Sequence, residues 1–445
     1  MYHRLHLVAV ALVLSLAAHP ALAKVSAAEA SKLGQDLTPV GAEKAGNKDG
    51  TIPAWTPAQQ KGTPTEFASN PQIEAEKPLF TITKANMAQY ADKLDAGHRK
   101  LLQTYDSYKM NVYPSHRIET FPDAVLKATV ANASTAELQG TDTISNAKLG
   151  LPFPIPKSGA EAIWNHRLKW RGESVTRYNN QMIVQPDGSA QLTKIVEDVK
   201  FFYASLINPV TANGHALAIK YASQTVSPPR VAGTYILVHE YVDTRDAWIY
   251  SPGLKRIRRA PTVCCDNPYE GTDGMQFYDQ VDMFNGTLER YDWKLVGKKE
   301  MYVPYDSYKI ASRSTKYADM AKPRHLNQDL ARYELHRVWV VDATLRQGTN
   351  HTFKRRLMYL DEDGWTILGV EDYDSRDQLY QYQEGHNIFA ANLLTNGNVP
   401  EVIYHFDSGR YFLTGMFNED KPLDFTRNFN DEYFTAEAVQ KRTTK

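Results

Sequence analysis

RVWVVDATLRQGTNHTFKRRLMYLDEDGWTILGVEDYD, the stretch from Arg337 to Asp374, decides the fold. Valine, tryptophan, tyrosine and isoleucine crowd into three short runs, broken at Gln347–Asn350 and Asp361–Gly364 by polar residues and glycine. Branched and aromatic side chains suit a pleated surface, and turn residues at this spacing make the runs a β-meander. Upstream, QMIVQPDGSAQLTKI (Gln181 to Ile195) is two extended runs around the hairpin turn Pro186–Ser189. Downstream, EVIYHFDSGRYFLTG (Glu401 to Gly415) turns at Asp407-Ser408-Gly409. Strands dominate from about Trp164, and eight or more at this spacing argue for a sandwich or barrel rather than a parallel sheet.

The part before about Pro114 has a different texture. LTPVGAEKAGNKDGTIPAWTP (Leu37 to Pro57) is broken by glycine and proline, and is expected to lie along the surface of something else. Met87, Tyr90, Ala91, Leu94, His98, Leu101, Leu102, Tyr105 and Tyr108 recur at spacings of three and four, which predicts a helix with one apolar face. A shorter helix is expected over Pro122–Ala131, and another over Asp431–Gln440 within a polar tail.

Residues 1–23 read as a cleavable secretory signal: a basic start, an apolar stretch from Leu7 to Ala18, and Ala21-Leu22-Ala23 before Lys24. That stretch is too short to span a bilayer, and Lys24 stands where a lipoprotein would carry cysteine. The organisation expected is a signal over 1–23, an extended segment with a covering helix over 24–115, a curved sheet with helical insertions over 116–420, and a tail over 421–445. The 51 basic and 51 acidic residues balance, which argues against nucleic acid as a partner. The two cysteines are neighbours, Cys264 and Cys265; adjacent Cα atoms stand about 3.8 Å apart, short of the roughly 4.4–6.8 Å of ordinary disulfides.

Familiar catalytic spacings are missing: no G-x-S-x-G, H-E-x-x-H, phosphate loop or dinucleotide fingerprint occurs. No catalytic residue, cofactor or metal ligand set is assigned, and a non-enzymatic protein is expected. The densest charge lies between Trp248 and Tyr305. There Arg256, Arg258 and Arg259 precede Asp266, Glu270, Asp273, Asp279 and Asp282. The arginines with Asp273, Asp279 and Asp282 form a candidate latch that orders a loop over the barrel mouth, or a docking patch; the competing reading is a loop pinned by ion pairs. Calcium binding by the five carboxylates lacks a compact loop of alternating ligands. Eight aromatic residues, Trp164, Tyr235, Trp248, Tyr250, Trp293, Trp339, Tyr359 and Trp365, are candidates to line an apolar trough, although large rings on strands also simply fill cores.

Several stretches carry a resemblance. W-I-Y-x-P-x-L-x-R-I-R-R (Trp248 to Arg259), Phe284-Asn285-Gly286, Trp293 to Lys298, and Lys354 to Leu379 resemble the bacterial outer membrane lipoprotein-sorting pattern. More narrowly, Leu37 to Trp55, Gly150 to His166 and Tyr411 to Glu419 resemble the periplasmic family named domain of unknown function 1329. The resemblance implies a fold similar to the LolA/LolB carriers: mainly β, a large incomplete antiparallel barrel with helices covering its open concave face. It also implies a lipid or other hydrophobic ligand, transient membrane contact, and a relay with a resistance-nodulation-division exporter and an outer-membrane partner. On this reading the helix from Met87 to Tyr108 lies across the trough and cargo displaces it. The alternatives are an envelope interaction or sensor protein and, further off, an envelope hydrolase.

Overall fold

The computed structural model describes residues 25–60, 67, 69–203, 211–212, 215–261 and 263–443. The signal expected over 1–23 lies outside the described residues. One antiparallel sheet dominates, with strands β1 (Ser174–Tyr178), β2 (Asn180–Val184), β3 (Ala190–Phe201), β4 (His215–Ser227), β5 (Tyr235–Tyr241), β6 (Arg245–Ser251) and β7 (Arg256–Arg259) in its first half. The second half is β8 (Tyr291–Pro304), β9 (Tyr333–Leu345), β10 (Arg355–Asp361), β11 (Ile367–Tyr373), β12 (Leu379–Ala390), β13 (Thr395–His405) and β14 (Tyr411–Met416). β9, β10 and β11 are the meander read from the sequence, and both hairpins form as expected.

Each half is a meander, and the halves join where β14 pairs with β2. β1 and β2 share one side of β3, and β4 takes the other. Among the described residues the strand order therefore leaves β7 and β8 unpaired on one side each, and these two edges are consecutive strands in the chain. The barrel is incomplete at that point. The edges resist pairing with other chains in the usual way: β7 reads Arg-Ile-Arg-Arg with its arginines exposed, and β8 carries Lys294, Lys298 and Lys299.

What fills the concave side is a helix, α3 (Gly159–Leu168), all ten residues of which are buried. Ser158 caps it, its hydroxyl accepting from Glu161 N at 3.2 Å. The helix starts against β8 and β9, where a Cβ on Gly159 would stand 2.9–3.0 Å from Val341, Lys294 and Trp293. At the other end Arg167 donates to Glu240 of β5 (3.0 Å), and the following Lys169 donates to Thr366 beside β11 (2.5 Å) and Asn396 of β13 (2.6 Å). Strands so far apart in the order can meet one short helix only if the sheet wraps around it. Strands expected from Trp164 onward thus begin after Leu168 instead. A helix enclosed on every side has no polar stripe, so the period that marks a surface helix is lacking.

The amino-terminal helix is elsewhere, and the expectation that it lies across the trough is overturned. It forms in two pieces, a 3₁₀ turn over Met87–Lys93 and α1 (Ala96–Thr104). α1 packs on Tyr382 and Glu384 of β12, with Gly97 so close that a Cβ would stand 2.1 Å from the Tyr382 ring. Gln381 and Gln383 of the same strand bond instead to Gln280 and Asp372 on the concave side. Successive strand residues point to opposite faces, so α1 covers the outer face. Helix α2 (Asp123–Thr135) follows Pro122 as expected, and α4 (Ala436–Thr443) with Phe429 and Phe434 packs on Leu237 and Tyr250.

The loop from Leu37 to Pro57 lies along the sheet because two buried arginines accept the task of satisfying its carbonyls. Arg117 donates to Glu43, Ala45 and Pro53, and Arg337 to Ala45, while both hold Glu362.

α1 is locked by a fully buried charge. His98 lies between Asp95 (2.8 Å) and Glu384 (3.0 Å), and Tyr333 and Tyr404 also donate to Glu384. Burial works against the imidazolium, but the two carboxylates outweigh it and lift the His98 pKa to about 10. Folded His98 keeps its proton where an unfolded histidine, near 6.5, has lost it. Its stabilisation is therefore complete below about pH 6.5 and fades as pH rises toward 10. Thermal melts of the wild type should fall across pH 7–10, and His98→Asn should start lower and show a flatter decline in that window.

Candidate functional site

The segment between the two open edges, from Ala260 to Arg290, spans the concave mouth. Asp279 accepts from Arg356 and His351 at 2.9 Å each, and Gln280 donates to Gln381 at 2.8 Å. Asp282 pairs with Arg171, Asp273 with Arg410 (2.7 Å), and Arg245 donates to Asn285 O (3.0 Å). Between this segment, the end of α3, and strands β1, β3, β4 and β13 lies a cavity of about 160 Å³.

One end of the cavity is apolar, built by Phe67, Phe201, Val399, Phe417, Leu423 and Phe425. The Phe67 and Phe425 rings meet edge to face at 5.6 Å. The segment holding Leu423 and Phe425 is tied to β1 by paired backbone bonds between Asp424 and Thr176. The other end is charged, and its charges come in pairs: Arg167 with Glu240, Arg171 with Asp282, and Arg177 with Glu197 at 2.9 Å across β1 and β3. Burial pushes the Glu401 carboxyl up to about 8, and the nearby Asp282 carboxylate pushes the same way. Burial presses the His166 pKa down to about 3, and the neutral imidazole accepts from Ile367 N at Nδ1 (3.2 Å) and donates from Nε2 to Asp282 O (2.8 Å). Burial also lowers Lys169 to about 7, helped by Arg171.

The lining hydroxyls of Thr395 and Thr414 donate to Trp170 O (2.9 Å) and Asn179 Oδ1 (3.3 Å).

None of the eight candidate aromatic residues borders this cavity. Trp164 is buried in α3, donates to Thr141 O at 2.7 Å and carries the Arg167 guanidinium over its ring. Trp365 donates to Val40 O and stacks on Trp339. Trp293 donates to Leu288 O, and the Tyr359 hydroxyl donates to Glu371. Tyr235, Trp248 and Tyr250 belong to the outer face under α4. The latch residues also divide. Asp279 and Asp282 do pin the crossing segment, as Asp273 does at its surface, but their partners are Arg356, Arg171 and Arg410. Arg256 and Arg258 lie exposed on the edge, and Arg259 pairs with Asp246 (2.9 Å) while covering Trp248. Asp266 accepts from Thr352 and Glu270 from the Tyr278 hydroxyl, so the five carboxylates are dispersed among separate partners.

The cavity charges were missed, although one signal was present. In AQLTKIVEDVKF, Glu197 falls in phase with buried Ile195, Val199 and Phe201. A charge in the apolar phase of a strand marks an inward carboxylate that needs a partner. One set of possible metal ligands, His336, Asp361 and Asp363, lies buried within 4.8 Å among the described residues. Asp363 is already held twice by Arg117 at 2.8 Å, and His336 stacks on Tyr305 and reaches Glu334 at 3.0 Å. That group serves the anchoring of the amino-terminal loop.

The family described as protein of unknown function, DUF1329, matches residues 81–440. The chain is a DUF1329 protein. It is 43% identical to the uncharacterized protein PA3922 of Pseudomonas aeruginosa, over 96% of each chain. Among solved structures, a putative outer membrane lipoprotein-sorting protein domain from Vibrio parahaemolyticus is similar, with a TM-score of 0.44 and 14% identity over 63% of this chain and 98% of that one. A DUF1329 family protein from Desulfovibrio piger gives 0.43 and 14% over 62% and 95%. A LolA superfamily protein from Nitrosomonas europaea gives 0.39 and 12% over 63% and 98%. Among the described residues of this DUF1329 chain, no helix is long and apolar enough to cross a membrane.

Glu401 makes the site sensitive to pH. Its folded pKa of about 8 exceeds the ordinary 4.5, so the folded state binds the extra proton between those values. Stability from this group falls as pH rises from about 4.5 to 8. Glu401→Gln, which cannot ionise, should melt above the wild type at pH 9 and close to it at pH 4.5, read by calorimetry at both pH values.

Proposed function

We propose that this DUF1329 protein is a periplasmic carrier that shelters a hydrophobic molecule, with no bond made or broken. The observation that carries this reading is the cavity itself, aromatic at one end and charged at the other, walled by β1, β3, β4 and β13 and covered by the segment that crosses between β7 and β8. Its 160 Å³ is about the size of an apolar cavity that takes up one benzene, or a chain of some five or six methylenes. At ~0.8 kcal/mol per methylene that burial yields about 4–5 kcal/mol, which alone corresponds to a dissociation constant of roughly millimolar. A whole lipid therefore needs more room than the closed form offers. The Phe67 and Phe425 rings, which meet edge to face at the apolar end, are the groups that would have to part to make it. α3 is too deeply bound to serve as the moving part.

In the cell the same exchange of apolar surfaces would run down an affinity gradient. A resistance-nodulation-division exporter would stand on one side and an outer-membrane partner on the other, with a secretory signal over residues 1–23 delivering the carrier.

Two variants test this with a fluorescent hydrophobic probe and native mass spectrometry of protein from its own envelope. Phe425→Ala should raise probe binding severalfold, and Val199→Phe, which fills the cavity, should abolish it while the fold persists by circular dichroism. Wild-type protein that is always empty, with both variants indistinguishable from it, would overturn the carrier reading.

A further inference from the structure

The segment that spans the mouth carries Cys264 and Cys265, both free and half-exposed. Their sulfurs stand 2.7 Å apart, with the Cys265 thiol donating to Cys264. Cys265 sits at a φ of +61°, the left-handed region that a residue with a side chain enters only when its surroundings hold it there. The holding contacts are visible: Asp279 N donates to Cys265 O, and Asn267 donates to Cys264 O from its backbone and its side chain. Asp266, next in the chain, accepts from Thr352 and lies 3.6 Å from Arg290.

We propose that Cys264 and Cys265 form a reversible thiol–disulfide site that exchanges with small-molecule or protein disulfides, Cys264 being the attacking thiol and Cys265 the resolving one. Neither the site nor its test depends on the carrier reading. The contact with Cys265 and the positive charge of Arg290 and Arg245 favour the Cys264 thiolate, while that same contact and burial hold the proton on Cys265. The thiolate is the nucleophile.

The chemistry balances. The Cys264 thiolate attacks one sulfur of a disulfide RSSR, forming a mixed disulfide and releasing RS⁻. The Cys265 thiol passes its proton to that RS⁻ and attacks the Cys264 sulfur, expelling the second RS⁻, which takes up a proton from solvent. Two protein thiols are oxidised to one disulfide, and one RSSR is reduced to two thiols. Neighbouring Cα atoms sit closer than an ordinary disulfide prefers, so the product is readily reduced and the step runs in both directions.

The test uses the full chain in glutathione buffers of graded reduced-to-oxidised ratio, read by intact mass and by peptide mapping after alkylation. Wild type should lose about 2 Da reversibly as the ratio falls, and Cys264 should alkylate about tenfold faster than Cys265 at pH 7. Cys265→Ser should accumulate the glutathione adduct on Cys264, and Cys264→Ser should stay unmodified. No mass loss at any ratio, equal alkylation rates, or oxidation only to intermolecular dimers would overturn the proposal, and the wild-type readouts decide even if a variant misfolds.

Discussion

A helix bearing charge sits inside a curved sheet, and the rest of the structure follows from that. Arg167 and Lys169 lie at the end of α3 with almost no solvent contact, and each buried ion costs several kcal/mol of lost hydration unless it is partnered. The partners come from far apart: Glu240 on β5, Thr366 beside β11, Asn396 on β13. Satisfying them fixes the curvature of the sheet, because no flat arrangement brings those strands within reach of one helix. With α3 at the centre, the sheet stops at β7 and β8, and the chain between them crosses the gap.

The cavity is a by-product of that same arrangement and is not an emptied core. Its charged end carries ion pairs that hold the wall together, while Arg167 Nη1, Gln181 Oε1, Gln276 Oε1 and Asn398 Oδ1 of its lining lack a protein partner among the described residues. Glu401 extends the logic: with Asp282 near and water excluded, one of the two carboxyls is better neutral. The outer face is organised differently, around His98 between two carboxylates, and this separates the anchoring of the amino-terminal segment from whatever the concave side binds.

Much of the sheet was legible because its strands obey a period of two and its hairpins carry Asp-Gly and Ser-Gly turns. The placement of helices was not. α1 shows a clear apolar stripe, but a stripe says only that something is covered, and nothing in Leu101 or Leu102 tells the concave face from the convex one. α3 was invisible for the opposite reason, being buried all round. The bulky rings of Trp164, Trp293 and Trp365 advertise burial without saying whether they line space or fill it, and each proves to be tied by its indole N–H to a backbone carbonyl. The partners of Asp279, Asp282 and Asp273 could not be read from the sequence, since Arg356, Arg171 and Arg410 are distant in the chain and adjacent only after the sheet has wrapped.

The claim on which this account stands is that the cavity takes up an apolar chain end first. Calorimetric titration with a homologous series of single-chain amphiphiles, from four to twelve carbons with one head group, measures it directly. Affinity should climb by ~0.8 kcal/mol per methylene until the chain fills about 160 Å³, then level off or demand a slower opening step. Binding that does not change with chain length, or none for any member of the series, would contradict it.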